Sequence, residues 1–216
     1  MEKRRQFLKR LFGFVVGASV SLTPALSLLK RALAESARIV LPKGTKRETL
    51  IDKNPADLDA THLEVTPTEN FGTMGLSDHV ENMEKWRLQV TGGVENPLRF
   101  KYDEILAMPA IERSVLMICP GFFANHGLWK GFFLKDLLEM AEAEKNLTRV
   151  TFSSQEGAYG RNQEFSMEEI LAGKVFLSYG VNGESLPEKH GFPLRVVAEG
   201  HYGSSWIKYV SEVKVG

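Results

Sequence analysis

The sequence predicts an α+β domain with mixed β-sheets and short helices. Apolar runs of strand length outnumber segments with helical spacing, and the helical segments cover only a few turns. No repeated strand–helix–strand unit carries a Gly-rich phosphate fingerprint, which excludes a Rossmann or P-loop domain.

The first 34 residues have the composition of a targeting segment. Basic residues crowd residues 1–10, an uncharged apolar stretch covers residues 11–22, and Ala32-Leu33-Ala34 offers a small-x-small cleavage site. The segment Lys3-Arg4-Arg5-Gln6-Phe7-Leu8-Lys9 resembles the twin-arginine export signal, although Lys3 stands where Ser or Thr is usual. We expect a cleaved twin-arginine signal peptide over residues 1–34 and a periplasmic or otherwise exported protein. The alternatives are a basic amphipathic anchor and an uncleaved membrane span, and Pro24 and the small residues of the segment weaken both.

The remainder of the chain is acidic. Residues 1–34 hold 7 of the 27 Lys and Arg residues and 1 of the 27 Asp and Glu residues, which leaves 20 against 26, a net charge of −6. This charge argues against nucleic acid as a partner. The chain has one cysteine, Cys119, so an internal disulfide is impossible. That thiol is either a functional group or a small buried hydrophobe.

Local patterns predict the elements up to the cysteine. Residues 35–63 are polar and predict an extended, poorly ordered lead-in, which places the domain at residues 64–216. A turn-rich loop follows at 66–75. We then expect a strand over 86–90, a short helix over 103–108, and a buried strand over 113–119 that ends in the turn Pro120-Gly121.

The second half continues the mixed pattern. Four apolar residues at helical spacing predict a helix within 133–145, and Ser166 with Glu169 has the spacing of a capping box. The strand-like runs are 149–153, 175–179, 194–197 and 207–215.

Polar residues suited to an anion or a cofactor collect in the last third. Arg195 offers a bidentate fork, Lys208 a point charge, and Ser204 with Ser205 donors beside a glycine. Each residue type is also common at surfaces and strand ends. The histidines lack the spacing of a zinc motif.

An ordered set of short motifs, from about residue 60 to the end, resembles the sulfite-oxidase-type molybdopterin domain. Each motif is weak alone, and the set is specific. Its members are Trp86-x-Leu88-x-Val90, Asn96-Pro97-Leu98, Tyr102-Asp103-Glu104, Ile118-Cys119, Trp129-x-Gly131, Leu137-Leu138, Asn182-Gly183-x-x-Leu186-Pro187, His190-Gly191-x-Pro193-x-Arg195 and Gly203 with Lys208.

The resemblance implies molybdenum and molybdopterin as cofactors, with Cys119 as the metal ligand and a catalytic residue. It also implies that Tyr159 lies near the metal, where a turn aromatic is the alternative. The implied pterin contacts are Ser154, His190 and Arg195, and the phosphate end is lined by Ser204, Ser205, Trp206 and Lys208.

The implied activity is two-electron oxygen-atom transfer on a small sulfur-type substrate, as sulfite-like oxidation or sulfoxide-like reduction. Electrons would be exchanged with a haem protein or a membrane partner, because the sequence has no haem motif. Two alternatives stay open. One is a non-catalytic exported pterin-binding domain, and the other is a hydrolase in which His126 or His201 activates Cys119 as a nucleophile.

Overall fold

The structure is a computed structural model that describes residues 38–75, 78–155, 158 and 160–216. Chain contacts divide the molecule into Met1–Ile39 and Val40–Gly216, and nearly all described residues belong to the second unit. The signal peptide expected over residues 1–34 and Tyr159 lie outside the described residues. No helix in the described part of the chain has the length and apolar character needed to cross a membrane.

Short helices connect many strands, as an α+β domain requires. The described α-helices are α1 (Tyr102–Leu106), α2 (Leu134–Met140) and α3 (Met167–Leu171). The described strands are β1 (Ile39–Val40), β2 (Leu58–Asp59), β3 (Leu88–Gly92), β4 (Leu98–Phe100), β5 (Ile111–Cys119), β6 (Phe123–Phe132), β7 (Arg149–Ser154), β8 (Asn162–Ser166), β9 (Val175–Val181), β10 (Glu184–Ser185), β11 (Arg195–Ala198) and β12 (Val210–Val215).

Two five-stranded sheets make up most of the described structure. In the first sheet, β5 pairs with β6, β6 with β9, and β9 with both β10 and β11. In the second sheet the order is β4-β3-β12-β7-β8. Strand β12 runs parallel to β3 and antiparallel to β7, so this sheet is mixed, as the sequence predicted. One hydrophobic cluster includes Leu177 of the first sheet and Val213 of the second, and it is the main core.

Strand β6 was missed by the sequence patterns. Its polar and glycine residues, including Asn125, His126 and Gly127, interrupt the apolar alternation on which strand prediction depends. The strand forms because β5 pairs with it in an unbroken antiparallel register from Ile111 opposite Gly131 to Cys119 opposite Phe123. The sequence therefore predicted one strand of a hairpin and left its partner unassigned.

The polar segment before residue 64 also differs from expectation. It is ordered as 3₁₀ turns at Arg47–Leu50 and Pro55–Asp57 rather than as a loose lead-in. The reason is a small set of widely spaced leucines that no periodic pattern reveals. These leucines are buried in a second cluster with Leu116, Ile118 and Ala124, and they are Leu41, Leu50, Leu58 and Leu63.

Helix α2 is shorter than predicted, since it ends at Met140 rather than within the following turn. The backbone leaves helical geometry at Glu142, where φ is 49°, and Asn96 N–H donates to the carbonyl of Ala141. The predicted capping box is present at α3, where the Ser166 hydroxyl accepts from Glu169 N–H and the Glu169 carboxylate accepts from Ser166 N–H.

Candidate functional site

A cavity of about 500 Å³ lies where the end of β5 meets the loop 72–75 and the 3₁₀ turn Gly203–Ser205. Its volume is in the range of small-molecule and cofactor sites. Tyr202 forms an isolated bridge with Ile118, which brings the 3₁₀ turn against the end of β5. The lining residues are Gly72, Thr73, Met74, Gly75, Met117, Cys119, Pro120, Phe122, Phe123, Ala158, Arg161, His190, Arg195, Gly203, Ser204, Trp206, Ile207, Lys208 and Tyr209.

Cys119 is the last residue of β5 and its thiol borders the cavity. The chain turns away immediately afterwards, because Phe122 N–H donates to the Cys119 carbonyl and Gly121 takes a φ of 76°. Burial raises the pKa of the Cys119 thiol. A metal ion that binds Cys119 must displace the thiol proton, and this proton is bound more tightly here than on a cysteine exposed to water.

The loop Phe71–Gly75 covers part of the cavity and is fixed to β6. The Asn125 side chain bonds both backbone groups of Gly72, accepting from its N–H at 3.0 Å and donating to its carbonyl at 2.9 Å. Phe71 packs at 5.8 Å from the Trp129 ring and 5.6 Å from the His190 ring. A Cβ on Gly72 would lie 2.3 Å from the Phe123 ring, so the close approach of loop and strand requires glycine.

His190 ends the 3₁₀ turn Glu188–His190 and is 1% exposed. Its Nε2 is buried and has no hydrogen-bond partner among the described residues. Burial, then the nearby charges of Arg195, Lys189 and Lys208, lower the pKa of His190 to about 4. The ring is thus neutral at pH 7, and an unpartnered ring nitrogen is available to a ligand in the cavity.

Arg195, at the start of β11, is a buried cation that is 3% exposed. Its guanidinium donates to the carbonyls of His190 at 2.9 Å and Trp206 at 3.4 Å, and it lies over the rings of Trp129 and Trp206 at 5.0 and 5.5 Å. No carboxylate forms a salt bridge with it within the described residues. Burial lowers the pKa of Arg195 to about 10.

These contacts change the role expected for Arg195. Its Nε also approaches the Val196 carbonyl at 3.5 Å, so most of its donors already serve backbone acceptors. A free bidentate fork for phosphate is therefore not what the structure shows. The side chain instead supplies positive charge at the cavity wall and holds His190 in place.

Lys208 brings a second cation to the same wall. Its Nζ donates to the carbonyls of Met74 and Lys189, both at 3.2 Å. Burial and the charges of Arg195 and Arg161 lower the pKa of Lys208 to about 8. Three cations therefore line this cavity, while no Asp or Glu is present among its described lining residues. Such a wall favours an anionic ligand.

The other predicted contacts divide into two groups. Ser204 and Trp206 line the cavity, and Trp206 Nε1 donates to the His201 carbonyl at 3.2 Å. Ser205 and Ser154 are not among the lining residues. Ser154 is buried, and its hydroxyl accepts from Arg161 N–H at 2.8 Å, so the structure places it behind the wall that Arg161 forms.

Sequence reasoning missed several residues of the site. Thr73, Met74 and Arg161 line the cavity, and Asn125 holds the loop above it. The loop's Gly and Thr content did suggest close ligand contact, but nothing in the sequence pairs Asn125 with Gly72. That contact joins residues 53 positions apart.

The geometry does not support a cysteine hydrolase. His126 Nε2 lies 2.7 Å from Ser114 Oγ and its Nδ1 lies 3.2 Å from the Glu64 carbonyl. His201 Nε2 lies 2.6 Å from the Glu169 carboxylate. Neither histidine lines the cavity that contains Cys119, so neither is placed to take the thiol's proton.

Among the described lining residues, Cys119 is the one that offers a metal a thiolate. Across the described residues, no group of three or more His, Cys, Asp and Glu side chains converges on a metal position. A metal at Cys119 would therefore take further ligands from outside the chain's own His, Cys, Asp and Glu side chains. The unpartnered His190 nitrogen and the cationic wall fit an anionic organic group that brings such ligands.

Comparison with known proteins agrees with this reading of the cavity. Residues 76–216 match the family model described as oxidoreductase molybdopterin binding domain. The uncharacterized oxidoreductase YuiH of Bacillus subtilis (strain 168) is 29% identical over 153 residues, which are 68% of this chain and 76% of that protein. The protein-methionine-sulfoxide reductase catalytic subunit MsrP of Gluconobacter oxydans (strain 621H) is 28% identical over 176 residues, which are 71% of this chain and 56% of MsrP.

A solved structure shows the same fold. The crystal structure of the sulfane dehydrogenase SoxCD from Paracoccus pantotrophus superposes with a TM-score of 0.59 at 23% identity. The match covers 64% of this chain and 40% of the SoxCD chain.

Proposed function

The chain belongs to the oxidoreductase molybdopterin-binding domain family, of sulfite-oxidase type, and from this premise we propose that its cavity holds the molybdopterin with Cys119 as the protein ligand of the molybdenum. Family membership makes the chain an enzyme that uses molybdenum and molybdopterin. The observation that carries the assignment of the site is that Cys119, the only cysteine of the sequence, and His190, whose buried Nε2 has no hydrogen-bond partner among the described residues, line one cavity.

The residues present fit this cofactor. A pterin carries ring nitrogens and oxygens that the neutral His190 ring can bond, and its phosphate suits a wall with Arg161, Arg195 and Lys208 and no described acid. Ser204 lies on the same wall and adds a hydroxyl. Ser205 and Trp206 position the turn, with Trp206 packed at 5.4 Å from Trp129.

The bound cofactor supplies two-electron redox chemistry and oxygen-atom exchange. The chain's own residues perform the supporting steps. Cys119 would hold the metal as a thiolate, and the buried, neutral ring of His190 would hold the pterin by hydrogen bonding. The Phe71 and Phe123 rings, held by Asn125 and Gly72, pack beside the cavity and limit the access of water.

The surroundings of Cys119 favour a neutral sulfur substrate. Pro120, Phe122, Phe123 and Met74 are apolar lining residues, whereas the cations that would attract sulfite are those expected to hold the pterin phosphate. We infer a small sulfoxide-type substrate that is reduced by two electrons, and sulfite-like oxidation is the second candidate. The name of the relative MsrP, a protein-methionine-sulfoxide reductase subunit, agrees with the first.

The proposal also covers the export route of the protein and its electron-transfer partner. The segment Lys3–Lys9 supports export by the twin-arginine machinery to the periplasm, because this route accepts folded, cofactor-loaded proteins. A haem protein or a membrane protein is the proposed electron partner, since the sequence carries no haem-attachment motif of its own.

The test begins with chain produced together with the enzymes of pterin synthesis. Metal analysis should find about one molybdenum per chain, as a single thiolate ligand implies. Reduced viologen should drive turnover of a dialkyl sulfoxide, while sulfite with ferricyanide should give a much lower rate per molybdenum. Faster oxidation of sulfite would reverse the proposed direction, and absence of molybdenum would contradict the site assignment.

A further inference from the structure

Asn182 makes contacts that reach far beyond the turn in which it lies. Asn182 and Gly183 connect strands β9 and β10, and both have a positive φ, 54° and 85°. Two-residue hairpin turns of this kind prefer Asn, Asp or Gly at the first position. The turn alone would therefore accept any of these three residues, so the reason for an asparagine must come from the contacts of its side chain.

Both polar atoms of the Asn182 side chain bond to distant parts of the chain. Its Oδ1 accepts from Leu128 N–H on β6 at 2.9 Å. Its Nδ2 donates to the Thr66 carbonyl at 2.9 Å and to Thr68 Oγ1 at 3.0 Å. An aspartate at this position would keep the acceptor but lose both donors. The amide group of asparagine therefore joins the first sheet to the segment that precedes the cavity-lining loop.

This segment, residues 66–72, is fixed to β6 at both of its ends. At its start, Thr66 N–H donates to the His126 carbonyl at 2.7 Å, and Thr66 Oγ1 accepts from His126 N–H at 2.9 Å. At its end, both backbone groups of Gly72 bond to a side chain of β6. Between these points lies the 3₁₀ turn Thr68–Asn70, which has no buried residue. The bond to the threonine hydroxyl therefore ties the middle of the segment to the sheet.

The same segment shapes one side of the cavity. Phe71 packs at 5.8 Å from the Trp129 ring and 5.6 Å from the His190 ring, and Thr73 follows directly as a lining residue. Cys119 lies instead on β5, which is held by its own antiparallel pairing with β6. A displacement of the segment would therefore change the cavity wall without moving the strand that carries the thiol.

We propose that Asn182 is a positioning residue, whose side-chain amide holds residues 66–72 in the place that the cavity requires. The hydrogen bonds that it makes belong to the chain itself, and the inference rests on the proposed function only for its effect on turnover. Asn182→Asp is the decisive substitution, because it suits the turn and keeps the bond to Leu128 N–H. Asn146→Asp is the matched control, since it adds the same charge at an exposed position outside the cavity lining.

Amide hydrogen exchange of the full-length chain without cofactor tests the attachment. The amides that close the turn Thr68–Asn70 should exchange about tenfold faster in Asn182→Asp than in the wild type and in Asn146→Asp, as loss of about 1.4 kcal/mol would give. Peptides that cover the hairpin 175–185 should exchange as in the wild type. Wild-type exchange over residues 66–72 in Asn182→Asp would overturn the proposal. Faster exchange of the hairpin as well would also overturn it, because the asparagine would then serve the turn.

Steady-state kinetics of the molybdenum-loaded enzyme tests the effect on the site. In Asn182→Asp, KM for the dialkyl sulfoxide should rise about tenfold while kcat per molybdenum stays within about twofold of the wild type, because the cavity wall moves and the thiol does not. An unchanged KM would overturn the positioning role.

Thr68→Val provides a test without added charge. It removes one acceptor of the Asn182 amide, so it should raise KM in the wild type but add little in the background of Asn182→Asp. Full additivity of the two substitutions would overturn the proposal. Absence of sulfoxide turnover in the wild type would instead contradict the proposed function, and the exchange measurement would then decide on Asn182 alone.

Discussion

Replacing Arg195 by Met should weaken both the fold and cofactor retention. The substitution keeps much of the side-chain volume but removes the buried charge that lies between His190, Trp129 and Trp206. Because no carboxylate forms a salt bridge with Arg195 within the described residues, we expect an anionic ligand to compensate its buried positive charge.

The contacts of Arg195 determine how large the expected loss of stability and of cofactor retention is. The variant loses charged hydrogen bonds to two carbonyls, each worth about 1.5–3 kcal/mol, and cation–π contacts worth about 0.5–2 kcal/mol. It also regains the several kcal/mol that desolvation of one buried cation costs. The expected net loss in the free energy of unfolding of metal-free protein is about 1–3 kcal/mol, or a lowering of Tm by about 2–12 °C. Cofactor retention should fall about ten- to a hundredfold, because the cavity wall loses one of the positive charges that attract an anionic ligand, an effect of about 1.4–2.7 kcal/mol.

The assay compares urea unfolding of metal-free chain, molybdenum content after gel filtration, and the rate per molybdenum. Arg149→Met is the matched control, since Arg149 is an exposed arginine whose salt bridge to Glu164 lies on β7 and β8. The rate per molybdenum should stay near that of the wild type. Full molybdenum content in Arg195→Met would refute the argument that this cation belongs to the anion site, and full content with a collapsed rate would place Arg195 at the substrate.

Three other predictions concern the buried ring of His190, the contact between Asn125 and Gly72, and the paired arginines Arg4 and Arg5 of the export signal. The pKa of His190 is lowered from 6.5 to about 4, so between these pH values the unfolded chain binds one proton more than the folded chain, and stability is lost as the pH falls. In urea unfolding, the wild type should lose about 3 kcal/mol more than His190→Gln between pH 7 and pH 4. Parallel pH profiles of stability for the two proteins would contradict the burial of this ring. Asn125→Leu leaves both backbone groups of Gly72 without their partner and should cost about 1–3 kcal/mol of stability in urea unfolding. Asn162→Leu, at an exposed position of β8, should change stability little, and equal effects of the two substitutions would mean that the contact with Gly72 is not what holds the loop. Arg4→Lys with Arg5→Lys should leave the precursor in the cytoplasm when fractions are probed by immunoblot, and normal export would show a signal of another kind.

Periodic patterns predicted the elements whose burial is regular. The strand that ends at Cys119, the capping box at Ser166 and the strand near the C-terminus all appear, with boundaries shifted by a few residues. Strands β6 and β8 were not predicted, because their polar residues are tolerated only through pairing with neighbours. Local propensity cannot report a pairing partner.

The candidate site likewise combines residues that the sequence predicted with contacts that it did not. Of the residues that the resemblance implied as cofactor contacts, Cys119, His190, Arg195, Ser204, Trp206 and Lys208 line one cavity, whereas Ser154 and Ser205 do not; their contact with a cofactor stays a prediction. The contacts that give these residues their properties join distant parts of the chain. Met74 and Cys119 are 45 positions apart, and Lys208 reaches Met74 across 134 positions. Such contacts depend on the tertiary fold, so neither the contact between Met74 and Cys119 nor the use of backbone acceptors by the Arg195 guanidinium was visible in the sequence.

The most direct test of the account is the count of sulfur neighbours around molybdenum, measured by X-ray absorption in the wild type and in Cys119→Ser. A hard hydroxyl does not replace a soft thiolate, so we predict one sulfur fewer in the variant, a changed visible absorption and no turnover, with circular dichroism unchanged. An equal sulfur count with full activity in Cys119→Ser would contradict the assignment of Cys119 as the metal ligand.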